Sequence, residues 1–146
     1  MAGYVQSNLL PNEQVIYQTQ LHPLIYLSPA LIVLAGIATG IFAMPAGGLA
    51  VLGVGLLALV GAWIRQWSSE FAVTNRRVII KTGWISRRTI ELNMSKVESV
   101  EVAQDIIARM LGYGTITVIG TGGTREPFSL INDPLGFRRA VQSQQG

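Results

Sequence analysis

The most apolar part of the chain is a long run from Leu24 to Trp67, which carries no charged side chain before Arg65. It divides into two apolar segments, 24–43 and 48–64, of about 20 and about 17 residues, the lengths that helices need to cross a bilayer. Between them, Met44–Gly47 contains proline and glycine, which interrupt helices. The pattern therefore predicts a transmembrane helical hairpin. A buried hairpin in a soluble core would show a polar helical face, and this run has none.

Residues 1–23 precede this hairpin, and from Val15 to His22 their side chains fall on two alternating faces. A period of two is typical of a β-strand. Because two spans return the chain to the side from which it started, we expect this strand to join the sheet of the C-terminal domain. Disorder of the segment is the alternative.

Residues 68–146 change to short apolar runs separated by turn residues, which indicates a small β domain. The predicted strands are Ser69–Thr74, Val78–Lys81, Arg87–Leu92, Val97–Val102, Thr115–Ile119 and Glu126–Leu130. In the fourth strand the apolar positions slip once in parity, which predicts a β-bulge. Pro127 predicts that the last strand lies at a sheet edge.

Two helices are expected within this β domain. Gln104–Leu111 has apolar residues at helical spacing, and Gly112 follows as a C-cap. A C-terminal helix is expected to begin with Asp133 as the cap and Pro134 at the first helical position. The whole chain is thus predicted to be a membrane hairpin followed by a mainly-β domain with a C-terminal helix.

Charge is distributed unevenly and predicts the orientation. Glu13 is the only charged side chain in residues 1–64, whereas all 11 Lys and Arg residues lie from Arg65 onward. Basic residues close to a span remain on the cytoplasmic side. We therefore expect a multi-pass protein of the prokaryotic cytoplasmic membrane with both termini inside. A cleaved signal peptide is the competing interpretation, but no basic segment precedes the first apolar run and no small-residue cleavage site follows it.

Catalytic and metal-binding chemistry is poorly represented. The chain has no cysteine, and His22 is its only histidine, so neither a metal site nor a cofactor is expected. Glu91, Glu98 and Glu101 lie on predicted strands beside basic residues and are interpreted as solvated charges, with an acid/base pair as the alternative. The glycine-rich loop 120–124 lacks the lysine and the following helix of a phosphate-binding loop and is interpreted as a hairpin turn.

Small and aromatic residues of the hairpin suggest how it packs and where it is anchored. Small residues allow close helix approach in lipid, and the candidates for helix packing or oligomer contacts are Gly36, Gly40, Gly48, Gly55 and Ala62. These faces either pack the two helices together or remain available to neighbouring copies. The aromatic residues Tyr26, Trp63 and Trp67 lie where a membrane-interface belt is expected.

Three stretches resemble a known family. They are EFAVTNRRVIIKTGWISRRTIELNMSKVESVEV, ARMLGYGTITV and INDPLGFRRAV, and they cover Glu70 to about Val141. In order and spacing they resemble the bacterial pleckstrin-homology-like (bPH2-type) domain of membrane-anchored proteins, formerly a domain of unknown function. LLPNEQVIYQTQ and the two spans are similar to a small member of that family. The resemblance implies a PH-like split barrel closed by a C-terminal helix, and a binding or scaffolding role without enzyme activity.

A group of basic residues is the main candidate for binding chemistry. Arg76, Arg77, Lys81, Arg87 and Arg88 flank the opening strands, which a hairpin is expected to bring together. Each such residue near an anionic leaflet gains about 1 kcal/mol. The resemblance to PH domains makes these five the candidates for binding anionic lipid headgroups. They are otherwise topology determinants that only dock the domain to the membrane.

Two function classes remain. The first is a membrane-anchored interaction or scaffolding module that forms a homo-oligomer or binds another membrane protein, with Trp84 as a candidate contact because exposed apolar groups often mark interfaces. Trp84 could instead cap the barrel or touch the membrane. The second class is an anionic-lipid sensor. A nucleic-acid partner is not expected, since the aromatic residues are not interleaved with the basic ones, and transport is disfavoured because the spans contain no charge.

Overall fold

The computed structural model of the protein describes residues 3–83 and 87–145. The chain divides into two compact units. Pro23–Trp67 form one, which we call the hairpin unit; Met1–His22 together with Ser68–Gly146 form the other, which we call the β unit. The hairpin unit is therefore an insertion between two parts of the chain that fold together.

The helices and strands follow one another in this order: α1 (Tyr4–Ser7), β1 (Val15–Thr19), α2 (Leu27–Phe42), α3 (Pro45–Ser68), β2 (Glu70–Thr74), β3 (Arg77–Thr82), β4 (Arg88–Asn93), β5 (Val97–Ala103), α4 (Ile106–Leu111), β6 (Tyr113–Gly120), β7 (Arg125–Asn132) and α5 (Pro134–Gln145). Short 3-10 turns at Pro23–Tyr26 and Met94–Lys96 precede α2 and β5.

The hairpin unit consists of the two apolar helices that the sequence predicts. Pro23–Phe42 and Pro45–Ser68 are long and apolar enough to cross a membrane, as judged by length and composition. The turn is shorter than the expected Met44–Gly47, because Pro45 begins α3, and a proline in the first helical position sacrifices no hydrogen bond. The Thr39 hydroxyl donates to the Ala35 carbonyl of its own helix at 2.8 Å, so this polar group is satisfied without a partner outside the helix.

The β unit contains two antiparallel sheets. One has the strand order β1-β2-β3-β4 and the other the order β5-β6-β7. The predicted irregularity in β5 is present, since its pairing with β6 shifts between Val97 and Ser99. β7 lies at the edge of its sheet. Pro127 has no N–H group to donate, and at an edge no further strand needs a hydrogen bond from it. Helix α5 packs against strands of both sheets, including β1, β2, β5 and β6.

The main core lies between the sheets and α5. Its largest fully buried side chains include Phe71, Phe137, Ile80, Ile116, Ile131 and Val141. The ring of Phe71 on β2 meets the ring of Phe128 on β7 edge to face, with centroids 5.8 Å apart, a geometry that aromatic pairs prefer. The two sheets are thus joined by direct contact across the core.

β2 and β3 are buried on both faces, which the sequence did not predict. On the face opposite the main core, Ala72 and Ile79 pack against Val5, and Tyr4, Leu9 and Val15 surround this contact. The first turns of the chain therefore cover the outer face of the sheet. The carboxylate of Glu70 accepts hydrogen bonds from the Tyr4 and Val5 amides at 3.1 and 2.9 Å, which holds α1 against β2.

The N-terminal segment also links the two sheets. β1 pairs with β2 in the first sheet, and at the last residue of β1 the Thr19 hydroxyl donates to the Asn132 carbonyl of β7 at 2.6 Å. The Asn132 amide donates back to the Gln20 carbonyl at 3.0 Å, and Leu21 forms an isolated bridge with Ile131. The alternating segment is thus an ordered strand at a junction of the β unit.

Both predicted caps are present. Gly112 has a φ of +81° and its amide bonds the Ala108 carbonyl, as a left-handed C-cap does. Before α5, Asp133 accepts a hydrogen bond from the Gly136 amide at 3.3 Å. Its φ of +50° is one that aspartate tolerates better than most residues.

Candidate functional site

The basic residues proposed for headgroup binding form two groups rather than one. β3 and β4 are antiparallel, with Arg77 opposite Asn93 and Thr82 opposite Arg88. Arg76 and Arg77 therefore lie at one end of β3, and Lys81, Arg87 and Arg88 lie at the other. At about 3.3 Å per residue the two ends are roughly 17 Å apart. The expectation that the hairpin gathers all five was wrong, because residues at opposite ends of one strand remain separated.

Arg77 is also engaged inside the protein. Its side chain is 10% exposed and lies against the fully buried side chain of Glu13. Nε donates to Glu13 Oε1 at 2.9 Å, Nη1 donates to Glu91 Oε2 at 2.6 Å, and Nη2 donates to the Asn8 carbonyl at 2.7 Å. All three nitrogens thus have partners within the β unit. Arg77 is a structural residue, and it is not placed to hold a headgroup.

Glu13 stabilises the other side of this network. It also accepts hydrogen bonds from the Thr74 hydroxyl at 2.7 Å and the Leu10 amide at 2.7 Å. Burial by itself raises the pKa of Glu13, but the hydrogen bonds from Arg77, Leu10 and Thr74 outweigh burial and hold the pKa below its ordinary value. Hydrogen bonding to Glu13 raises the pKa of Arg77 in turn. The pair therefore remains ionised over the physiological pH range.

The other four basic residues lie at or near the surface. Arg76 is exposed in the turn before β3. Lys81 is half-buried, with Nζ 6.0 Å from the centre of the Tyr4 ring, and Arg87 is exposed. Arg88 makes an exposed ion pair with Glu126 of β7 at 2.8 Å. Trp84, the candidate partner contact, lies outside the described residues.

The glycines of the hairpin unit fall into two classes. At Gly36 a Cβ would lie 2.5 Å from the Leu52 amide nitrogen, and at Gly55 it would lie 2.7 Å from Val33 Cγ2. At Gly48 it would meet the backbone of Gly40. Gly36, Gly48 and Gly55 therefore allow the close approach of α2 and α3, which small residues permit. At Gly40 a Cβ would lie 3.7 Å from Gly48 Cα, an ordinary contact. Ala62, the fifth predicted position, is half-buried.

A different pair of glycines on α3 faces open space. Nothing lies within 4 Å of a Cβ built at Gly53 or Gly61. The sequence does not distinguish these two glycines from the packed ones, because glycine spacing alone does not separate a packed face from an open one. The contacts within the hairpin supply that distinction.

The aromatic residues predicted at the membrane interface contact polar or aromatic partners near the open end of the hairpin. The Tyr26 hydroxyl donates to Gln66 Oε1 at 2.6 Å, which ties the start of α2 to the end of α3. Trp63 and Trp67 stack one helical turn apart, with ring centroids 6.3 Å apart and planes 9° from parallel. Both tryptophans are more than half exposed. An apolar ring with a polar edge suits the boundary between lipid and water.

Helix α4 carries its apolar side chains outward. Ile106, Ile107, Met110 and Leu111 are each at least half exposed, and Ala108 is the buried residue of the helix. The spacing of these residues predicts a helix, but spacing does not indicate whether an apolar face points to the core or away from it. We call these four residues the α4 patch.

An open groove adjoins α4 and is lined by residues of β5, β6 and β7 as well, among them Val102, Gln104, Asp105, Tyr113 and Ser129. Asp105 is its acidic residue, and the Asp105 carboxylate is occupied in capping α4 through the Ala108 amide at 2.7 Å. Within residues 3–83 and 87–145, no three His, Cys, Asp or Glu side chains are grouped to hold a metal ion. The groove therefore offers shape and hydrogen bonds rather than an acid/base pair.

Comparison with known proteins identifies the family. The sequence profile of the family described as Bacterial PH domain matches residues 24–145. The matched range includes both apolar helices as well as the strands from β2 onward, and the chain belongs to this family. No curated protein matches the sequence.

A solved structure supports the same fold. The chain is similar to the crystal structure of a DUF1696 family protein with a pleckstrin-homology domain from Shewanella loihica PV-4. The TM-score is 0.51 at 11% sequence identity, over 94% of this chain and 86% of the other. At that identity the likeness concerns the fold alone. It confirms the mainly-β PH-like architecture with a C-terminal helix that the resemblance implied.

Proposed function

We propose that the protein is a membrane-anchored, non-enzymatic interaction module. In this proposal the hairpin unit spans the membrane, and the PH-like β unit binds partners on the cytoplasmic side of that membrane. We further propose that it assembles with itself or with another membrane protein. The observation on which this depends is the outward face of the hairpin. Large apolar side chains there are each more than half exposed, among them Leu31, Leu34, Ile41, Phe42, Leu49 and Leu57.

An exposed apolar surface of this extent indicates contact with a membrane or another protein. The lengths of the two helices match the thickness of a lipid bilayer. The 24 residues of α3, at about 1.5 Å per residue, extend about 36 Å, and a bilayer core is about 30 Å thick. Few residues of either apolar segment are buried in the fold, which is not expected of a core helix in a soluble protein. The tryptophan pair near the end of α3 fits the same arrangement.

The pairing of β1 with β2 supports a hairpin that crosses the membrane twice. β1 precedes the hairpin unit and β2 follows it, yet Thr19 lies opposite Phe71 in one sheet. Two strands can pair only on the same side of a bilayer, so the chain must return to the side it left. The basic residues from Arg65 onward favour the cytoplasm as that side.

A binding role is favoured over catalysis by the chemistry of the β unit. The described carboxylates that lie close to basic groups are used in ion pairs: Glu13 and Glu91 with Arg77, Glu126 with Arg88, and Glu101 with Arg125. Catalysis by acids and bases requires convergent groups directed at a substrate. A scaffold with satisfied charges and exposed apolar surface suits contacts with other molecules instead.

Self-assembly is tested most directly on the open face of α3. Native mass spectrometry of the full chain in mild detergent is expected to show an oligomer or a co-purifying membrane protein. Replacing Gly53 and Gly61 by leucine on the open face should weaken a contact made there, whereas Gly36→Ala, whose methyl group has no room inside the hairpin, is the control for effects on the fold. A strict monomer with no partner in both detergent and nanodiscs would overturn the proposed assembly.

A second candidate function is recognition of anionic lipid by Lys81, Arg87 and Arg88. The observation that favours it is the β3–β4 register, which places Lys81 opposite Thr89 and Arg88 opposite Thr82 at one end of the strand pair. Arg87→Gln with Arg88→Gln should lower the preference of the reconstituted protein for phosphatidylglycerol. Arg76→Gln, at the far end of β3, is the matched control. Equal lipid selectivity in all three proteins would exclude this candidate.

A further inference from the structure

Among the described residues of the β unit, the α4 patch is the most exposed apolar surface. Ile106 and Met110 are 78% and 80% exposed, and Ile107 and Leu111 are exposed as well. Positions 106, 107, 110 and 111 fall on one side of a helix with 3.6 residues per turn, so the four side chains form one patch. A soluble domain gains nothing by presenting such a group to water.

The patch is held on a rigid support rather than on a loose loop. At the start of α4 the Asp105 carboxylate accepts a hydrogen bond from the Ala108 amide at 2.7 Å. At the end of α4 the Gly112 amide donates to the Ala108 carbonyl at 2.9 Å. The Gln104 side chain donates to the Tyr113 carbonyl at 2.7 Å, which closes the base of the helix onto β6. The β unit therefore fixes the direction in which the patch points.

The C-terminal end of α4 is tied to the residue that precedes the hairpin unit. His22 Nε2 lies 3.0 Å from the Leu111 carbonyl oxygen, and since a carbonyl only accepts, this nitrogen carries the hydrogen. The His22 ring also lies against the Tyr113 ring, with centroids 5.3 Å apart, and the His22 amide donates to the Leu130 carbonyl at 2.7 Å. His22 is followed directly by Pro23, where the first apolar segment begins.

We propose that α4 is a second membrane contact, lying in the plane of the bilayer surface with the α4 patch among the upper acyl chains and Arg109 toward the headgroup phosphates. This inference depends on the proposed function, because His22 marks the bilayer boundary only if the hairpin spans the membrane. The Leu111 contact then brings α4 to that same boundary. Interfacial helices bury an apolar face about 5–10 Å deep and keep basic residues at headgroup level, and Arg109 is exposed on α4.

A contact of this kind would fix the orientation of the β unit on the bilayer. A rigid helix seated in the interface restrains the tilt of the β unit against the bilayer. The surfaces left facing the cytoplasm would then be presented to partners in one orientation.

Depth measurements with single-cysteine labels test this inference, since the chain has no cysteine of its own. Met110→Cys and Ile106→Cys are labelled with a nitroxide in the full chain, which is then reconstituted into vesicles of phosphatidylcholine and phosphatidylglycerol. Leu34→Cys on α2 serves as the transmembrane reference and Gln142→Cys on α5 as the aqueous reference. Labels at 106 and 110 are expected to be relaxed more by oxygen, which concentrates in lipid, than by a water-soluble nickel chelate.

The references separate this inference from the proposed function. If the label at 34 is accessible to the nickel chelate, the hairpin does not span the membrane and the proposed function fails. If the label at 34 is in lipid but those at 106 and 110 behave like the one at 142, the α4 inference alone is overturned. Labels at 106 and 110 that are shielded from both reagents would indicate a second copy or a protein partner on the patch, and they would overturn it too.

Discussion

Glu13 and Arg77 are 64 positions apart in the sequence, and each would be costly to bury alone. Together with Thr74 and Glu91 they form a network that joins the N-terminal segment to the first sheet. Such a pair holds the chain in one arrangement, because removing either partner leaves an unpaired charge in the interior. The role of Glu13, the only charge before the spans, thus becomes structural.

Replacement of Glu13 by Gln is expected to lower the free energy of unfolding by about 3 kcal/mol, since Arg77 then loses a buried charged partner. Urea unfolding of the full chain in mild detergent, followed by circular dichroism, measures this. Glu98→Gln on the exposed side of β5 is the matched control and should change little. Equal midpoints for the two variants would contradict a structural role for the pair.

The same residue predicts a pH dependence. The pKa of Glu13 lies below its ordinary value of 4.5 in the folded protein, so its contribution to stability is complete above that value. The contribution is lost as the pH falls through the folded pKa, because the unfolded chain takes up the proton more readily. Unfolding free energies of the wild-type chain should therefore fall on acidification below about pH 4.5. The Glu13→Gln variant should lack this component, and an identical acid response in both proteins would exclude it.

Tyr17 gives a second prediction at the residue scale. Its hydroxyl donates to Asp133 Oδ2 at 2.8 Å, and burial together with that carboxylate raises the pKa of Tyr17 to about 12. Tyr17→Phe should cost about 1–2 kcal/mol of stability at neutral pH, and the difference from wild type should disappear as the pH rises from 10 to 12. Tyr4→Phe is the control, since the Tyr4 hydroxyl makes only an exposed contact of 3.4 Å. If Tyr17→Phe lowers the free energy of unfolding at neutral pH no more than Tyr4→Phe does, the Tyr17–Asp133 hydrogen bond does not stabilise the fold.

Among the secondary-structure elements, the two apolar helices present the sharpest contrast between packed and open faces. Gly36→Ala should destabilise the hairpin by about 1–3 kcal/mol, because the added methyl group has no room beside Leu52. Gly53→Ala on the open face should have no such cost. Unfolding by sodium dodecyl sulfate, followed by tryptophan fluorescence, compares the two variants in the full chain. Similar destabilisation by both would show that the two faces are not distinct.

The elements of the β unit could be predicted from sequence where one face is buried and the other is solvated. In β6 the buried and partly buried residues alternate over the whole strand, and the cap after α4 and the cap before α5 follow from Gly112 and Asp133. The burial of both faces of β2 was not predictable, because the second cover comes from residues 4–9. Those residues contact β2 only after the hairpin returns the chain, and no local pattern encodes so distant a contact.

The candidate sites were less predictable than the fold for a related reason. The sequence does not indicate which basic residue contacts an internal carboxylate, so it does not separate Arg77 from the surface cations, whereas the structure pairs Arg77 with Glu13. Likewise, the spacing of Ile106 and Met110 identifies a helix but not the direction of its apolar face. Both outcomes depend on tertiary contacts, which periodicity does not contain.

In the molecule as a whole, the hairpin unit interrupts a folded unit, and this limits how the chain can enter a membrane. Val15–Thr19 pairs with Phe71–Thr74 across the insertion, so in the proposed membrane arrangement both connections to the hairpin would lie on one side of the bilayer. An odd number of crossings would separate β1 from β2 and leave the outer face of Ala72 and Ile79 uncovered. The fold of the β unit therefore restricts topology independently of charge.

Charge then decides between the two topologies that the fold permits. Because all 11 Lys and Arg residues lie from Arg65 onward, the β unit should remain inside and the tip of the hairpin should face out. Met44→Cys at the tip should react with a membrane-impermeant maleimide in intact bacterial spheroplasts. Gln142→Cys should react only after the membrane is opened. The opposite pattern would reverse the proposed orientation, whereas reaction of both from outside would mean that the apolar helices do not cross the membrane, since the pairing of β1 with β2 excludes a single crossing.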